Sequence, residues 1–135
     1  YVDNDTTNKN DGWNSGGYYQ NIRNSVLSFK VTVDEPTTIR LRLGLAFNKS
    51  AGYNTTDIAT ITSTNASGQA NDVNATSITA KNTKWTAADA VIIEFATIEL
   101  AAGENTITIN MGANNVNISA VYVAANNEVV IGKKN

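Results

Sequence analysis

The residues of this chain with chemistry to offer are two tryptophans, an adjacent pair of tyrosines and a late run of asparagines. Trp85 stands among Asn82, Thr83, Lys84 and Thr86, and Trp13 lies within Asp11-Gly12-Trp13-Asn14-Ser15-Gly16-Gly17. Trp85 serves either as an open platform or as a lid on the core, and its polar neighbours favour the platform. Trp13 either closes over a ligand or pins its glycine-rich loop. Tyr18 and Tyr19 are neighbours, so on an extended chain they point to opposite faces and at most one meets a ligand. Tyr53 is a weaker candidate between strands. Flat aromatic rings pack well against the axial C–H face of a pyranose, and amides offer donor and acceptor together for paired hydroxyls. The aromatic candidates for ligand binding are therefore Trp85, Trp13 and one of Tyr18 and Tyr19.

Other chemistries are poorly supplied. The 135 residues include neither His nor Cys. That removes the usual general base, the Ser-His-Asp triad, thiolate metal sites and disulfides. A glycosidase needs two converging carboxylates. Glu94 and Glu99 are five apart on an expected strand and so should face opposite sides, Asp34-Glu35 sits in a turn, and Asp57 and Asp89 are isolated. A non-enzyme is expected. Gly16-Gly17 and Gly112 form no phosphate-binding pattern. A net charge of −2, with no Lys/Arg cluster, argues against nucleic acid. No apolar run has the length of a membrane helix, so no membrane partner is expected. Arg40 and Arg42 share a strand face; their forked donors suit a sugar carboxylate, although a solvated face that blunts edge pairing is the simpler reading.

The elements that must carry these residues read as strands. Leu27–Val33 and Ile39–Phe47 alternate apolar and polar residues, and the single Pro, Pro36, breaks the chain between them. Asn48–Thr56 reads as a loop. Asp57–Thr64 and Asn74–Ala80 are weaker strands, Val91–Leu100, Asn105–Met111 and Val116–Ala124 stronger ones, and Glu128–Ile131 a short last one. Thr86–Ala90 suits a helical turn, and residues 1–25 read as loop with at most a short strand. Short strands punctuated by Gly, Asn and Asp predict an all-β fold, an antiparallel β-sandwich, in a single domain spanning 1–135.

The order of these pieces resembles the β-sandwich carbohydrate-binding modules of families 6 and 35. The resemblance rests on Gly16-Gly17-Tyr18-Tyr19-Gln20-Asn21-Ile22 leading into Leu27–Val33, on Ile39-Arg40-Leu41-Arg42-Leu43, and on Thr83-Lys84-Trp85. It continues through Leu100-Ala101-Ala102-Gly103-Glu104-Asn105-Thr106-Ile107-Thr108-Ile109 to Val116-Asn117-Ile118-Ser119. It implies a jelly-roll, galactose-binding-like sandwich with a sugar site among loops at one end. Trp85 matches the family's Trp, Tyr18 or Tyr19 its opening aromatic, and Asn115 or Asn117 its late Asn. Family members also hold a structural calcium between a Glu-containing opening strand and an acid near the last strand. Here no such opening strand is visible and Ser119 stands in the acid's place. Asp3, Asp5 and Asp11 offer oxygen ligands without an EF-hand's closing Glu, so calcium stays open and no metal ligand is assigned.

The function this implies is non-catalytic binding of an oligosaccharide or polysaccharide. The module would direct an extracellular parent protein, secreted or on a bacterial surface and carrying covalently linked neighbouring domains, to a polysaccharide or host glycan. The N-terminus lacks a signal-peptide layout, so the chain reads as an excised or mature segment. The alternative is a structural or adhesin sandwich whose partner is a protein or a neighbouring domain; it requires Trp85 and Trp13 to be buried or held at an interface.

Overall fold

The computed structural model describes residues 3–4, 12–13, 19–20, 23–125 and 128–132, with side chains placed for 23–125 apart from Ala87. Its strands are β1 (Asp3–Asn4), β2 (Gly12–Trp13), β3 (Tyr19–Gln20), β4 (Val26–Val33), β5 (Thr37–Asn54) and β6 (Ala59–Thr64). They continue with β7 (Val73–Ala75), β8 (Thr79–Lys84), β9 (Val91–Leu100), β10 (Gly103–Met111), β11 (Asn117–Ala125) and β12 (Glu128–Gly132). A one-turn helix, α1 (Thr55–Ile58), is capped by the Asn54 side chain, which accepts from the Thr56 N–H. The first sheet runs β1-β4-β10-β6; the second runs β2-β3-β11-β5-β9-β7, with β12 beside β11 and β8 beside the far half of β5. Every pairing is antiparallel. The expected antiparallel β-sandwich is the observed fold.

Alternation decides which residues face inward. In β5, Ile39, Leu41, Leu43 and Leu45 are all buried, while Arg40 and Arg42 between them are half-exposed. Leu27 and Phe29 of β4 and Ile107 and Ile109 of β10 meet them from the other sheet in one apolar core. Burying each such side chain contributes roughly 1.5–3 kcal/mol relative to exposure. These contacts bring strands distant in sequence together and so place the loops that join them.

Three expectations change. The loop expected at Asn48–Thr56 is the second half of β5, which pairs with β8 as Phe47↔Lys84 and Asn48↔Thr83, followed by α1. The strand expected at Asn74–Ala80 is two strands, β7 and β8, so Asn82, Thr83 and Lys84 belong to a strand and not to a polar loop. Glu94 and Glu99 share the outward face of β9, because a register shift opposite Leu41/Arg42 inserts an extra residue between them. They remain apart: Glu94 lies opposite Arg42 and Glu99 opposite Thr38, about 13 Å along the strand at 3.3 Å per residue.

Candidate functional site

The chain leaves β8 at Lys84 and turns through Trp85 and Thr86 into a 3-10 turn at Ala87–Asp89. Asn82 organises this turn from its root. Its Nδ2 donates to the Leu45 carbonyl at 3.2 Å and the Asp89 carbonyl at 3.0 Å, while its Oδ1 accepts from the Thr83 and Lys84 N–H groups at 2.7 and 3.1 Å. The Thr86 hydroxyl donates to the Asp89 carboxylate, and the Asp89 N–H returns to the Thr86 carbonyl. From the other side, Asn117 Nδ2 donates to the Trp85 carbonyl at 3.0 Å. The backbone at Trp85 is therefore held at both flanks, yet 39% of the residue's surface is open to solvent. An exposed indole on a fixed backbone can meet a flat apolar ligand face with little ordering cost.

A second loop, 112–116, joins β10 to β11 and is tied to two other segments. The Gly112 N–H donates to Ile58 O at 2.7 Å, and Gly112 O accepts from the Asn24 N–H at 2.8 Å. The Met111 N–H donates to Ser25 O, and Asn114 Nδ2 reaches Asp57 O. Gly112 is required by this crowding, since a Cβ there would press on the Asp57 carbonyl. Asn24 takes a positive φ of 56°, a conformation in which Asn is among the better-tolerated non-glycine residues. The turn it forms delivers Arg23, whose Nη1 donates to Asn115 Oδ1 at 2.9 Å.

The opening segment reaches the same end of the sandwich. Trp13 pairs with Tyr19 across β2 and β3, and Tyr19 pairs with Ile118, one residue beyond Asn117. At this end, then, lie the backbones of Trp13 and Tyr19 together with Trp85, Asn115 and Asn117. Tyr18 lies outside the described residues, as do the side chains of Trp13 and Tyr19.

The two asparagines part company. Asn117 is 2% exposed, and its amide holds the Trp85 loop. Asn115 is half-buried at the rim and is engaged by Arg23. The sequence alone singles out neither Asn82 nor Arg23. Asn82 reads there as loop surroundings of Trp85; Arg23 is 92 positions from its partner, so no local pattern announces it.

Elsewhere, Arg40 and Arg42 both sit with Nε 3.7 Å from Glu94 Oε1, an ion-paired strand face. A cleft of about 230 Å³ at the opposite end, lined by Val31, Val33, Ile39 and Val123 with Asp34 at its edge, contains none of the candidate residues. Ser119 does not supply the acid of a calcium site: its Oγ lies 2.5 Å from where a Cβ on Gly44 would stand, at a bulge in β11. Among the described residues no three acidic side chains converge as a metal site. The side chains of Asp3, Asp5 and Asp11 lie outside the description.

No family model and no curated protein matches the sequence. The fold does match solved structures. An isomalto-dextranase of Arthrobacter globiformis T6, solved with panose, superposes with a TM-score of 0.61 at 20% identity over 90% of this chain. The match takes in 20% of the dextranase, so the chain spans about a fifth of that enzyme. A family 35 carbohydrate-binding module from Clostridium thermocellum gives a TM-score of 0.57 at 16% identity, covering 90% of this chain and 86% of its own. The family 6 module of Cellvibrio mixtus lichenase 5A, solved with cellotriose, gives 0.52 at 18% identity, with 90% and 85% covered. The chain has the β-sandwich fold of the carbohydrate-binding modules of families 6 and 35.

Proposed function

We propose that this domain binds a carbohydrate without transforming it, at the end of the sandwich that presents Trp85. The observation that carries the reading is an indole open to solvent on a loop pinned by Asn82 and Asn117. Trp85 is the platform for a sugar ring, and Asn115 supplies hydrogen bonds at the rim. Asn117 acts through Trp85 as a positioning residue, and the paired strands β2 and β3, which carry Trp13 and Tyr19, flank the site. The fold shared with sugar-binding modules supports this reading, although fold alone does not assign function.

The domain serves to hold a larger extracellular protein, through covalently linked neighbours, on a polysaccharide or host glycan. Affinity is modest, because sugar hydroxyls and protein amides must both lose water before they pair. No acid-base pair is invoked. Glu94 and Glu99, about 13 Å apart by strand rise, lie beyond the roughly 5–9.5 Å that glycoside hydrolysis uses. A purely structural module would need Trp85 packed away, and its exposure speaks against that alternative.

The test is a glycan array on the domain with and without calcium, paired with Trp85→Ala. Because Asn117 bonds the Trp85 backbone carbonyl, this variant removes the platform and keeps the loop's anchor. Binding that vanishes in a folded variant supports the site. Undiminished binding moves the site elsewhere, and a folded wild type that binds no glycan sinks the carbohydrate reading.

A further inference from the structure

Strand β4 is covered unequally on its two edges. β10 pairs with it along its whole length, from Asn110↔Val26 to Gly103↔Val33, but on the other edge β1 meets only Leu27 and Ser28. The carbonyls of Ser25 and Val31 both accept on the β10 side, from the Met111 N–H and from Asn105 Nδ2. Backbone groups alternate between the two edges of an antiparallel strand. The N–H and C=O of Lys30 and Thr32 therefore point to the edge that β1 leaves, and among the described residues no strand pairs with them there. Little blunts this edge. Val26–Val33 contains neither Pro nor a bulge, and the Lys30 ammonium leans to Glu104 of β10 at 3.2 Å.

Beside this edge lies the cleft of about 230 Å³, walled by Val31 and Val33 of β4, Ile39 of β5, and Val123 and Ala125 of β11, with Asp34 at its mouth. Thr32 lines it too. Its side chain belongs to the outward row, so the cleft opens along the backbone of β4. Unpaired N–H and C=O groups at strand spacing fit another extended backbone. The slot fits an apolar side chain, since a cavity of about 150 Å³ holds a benzene ring. Asp34 and Glu35 are exposed and form no ion pair among the described residues, which favours a cation beside the slot. A second copy of this chain does not meet these terms: the apolar residues of its own open stretch, Phe29, Val31 and Val33, are turned to its own core. Tyr1 and Val2, upstream of Asp3, span at one residue per position no further than Lys30.

We propose that the open edge of β4 and the cleft beside it form a docking site for an extended segment of another protein, added as a strand antiparallel to β4, the sense β1 already takes. Residues directly opposite one another share a face of the sheet. The segment therefore carries apolar residues opposite Val31 and Val33, and a Lys or Arg opposite Asp34. This site does not depend on the carbohydrate reading.

The probe is the capped peptide Lys-Val-Thr-Val-Thr, whose register sets Lys against Asp34, the two Val against Val33 and Val31, and the two Thr against Thr32 and Lys30. It is titrated into the isotope-labelled domain by NMR, beside one version N-methylated at both Thr and another with Glu in place of Lys. The expected result is saturable shifts confined to Lys30–Asp34, Ile39, Val123 and Ala125, with slowed exchange of the Lys30 and Thr32 amides. N-methylation removes the two donors that face β4 and should abolish binding. Glu should weaken it several-fold, as an attractive exposed pair becomes a repulsive one, and Asp34→Asn should weaken the Lys peptide in the same direction. Ala125→Leu, first checked for a native melt, should fill the slot and lower affinity on the order of tenfold, the loss for one apolar side chain left unburied. Equal binding of the N-methylated peptide would overturn the strand pairing. No shifts at the highest soluble peptide concentration, or shifts away from the cleft, would overturn the site. Lys30 and Thr32 amides already protected in the free domain would show the edge covered by this chain or, where protection grows with protein concentration, by a second copy; either overturns the proposal.

Discussion

Asn117 Nδ2 and the Trp85 carbonyl oxygen, 3.0 Å apart, link the start of β11 to the loop after β8 across 32 positions of sequence. The amide is almost wholly buried, and burying it without partners would cost more than the bond returns. Asn117→Ala is expected to destabilise the domain by about 1–3 kcal/mol, the range for losing a buried polar partner. Asn117→Asp should cost more, because a carboxylate cannot donate and would face the carbonyl it replaced a donor to. Thermal unfolding ranks the two, and quenching of Trp fluorescence reports whether the loop has loosened. Equal, negligible effects from both would mean the bond does not anchor Trp85.

Trp85→Ala should behave differently. The ring is partly solvent-exposed and its backbone anchor survives the change, so the stability cost should stay under about 1 kcal/mol, well short of the 3–5 kcal/mol typical of a buried Trp. Denaturant unfolding with an unchanged slope decides it. A loss of several kcal/mol would make the indole a core residue and return the structural-module reading to first place.

Two buried or half-buried asparagines at opposite ends separate stability from binding. Asn105 is 1% exposed; it closes the turn before β10 through the Ala101 N–H and the Ala101 and Gly103 carbonyls, and it receives Asn71. Asn82 does similar work for the Trp85 loop. Asn105→Ala should lower stability by about 1–3 kcal/mol with sugar affinity unchanged in the folded protein. Asn82→Ala should weaken sugar binding several-fold through the displaced platform. Calorimetric titration beside thermal melts gives both quantities, and a reversed pattern would contradict the placement of the site.

The sandwich and its main strands were legible because single strands carry their own period, as in Ile39 to Leu45. The extension of β5 was not: Asn48-Lys49-Ser50-Ala51 has no apolar face, and its pairing is decided by β8, more than thirty residues on. Nor was the shared face of Glu94 and Glu99, since the bulge between them falls in Phe95-Ala96, both apolar and both buried. Trp85 stood out because polar residues surround it. Asn117 looked like a ligand amide but lies among three consecutive buried positions, Val116, Asn117 and Ile118, a pattern that simple alternation does not produce. Arg23 depended on a turn at Asn24 and on a partner from the far end of the chain.

Gly44 and Gly112 support the site by close approach, and they differ in what lies against them. A Cβ at Gly44 meets the Ser119 Oγ, a side-chain atom that can rotate or be removed. A Cβ at Gly112 meets the Asp57 carbonyl, backbone fixed by α1 and by the bonds of the 112–116 loop. Gly44→Ala should therefore cost about 1 kcal/mol, the low end for overpacking, and adding Ser119→Ala should recover most of it as a measured coupling. Gly112→Ala should cost about 2–3 kcal/mol with no such rescue. It should also displace Asn115 and weaken sugar binding, whereas Gly44→Ala leaves the rim in place. Melts on the three single variants and the two doubles with Ser119→Ala, with titrations on those that fold, check every part; rescue of Gly112→Ala by Ser119→Ala, or no rescue of Gly44→Ala, would show that the two contacts have been assigned the wrong way round.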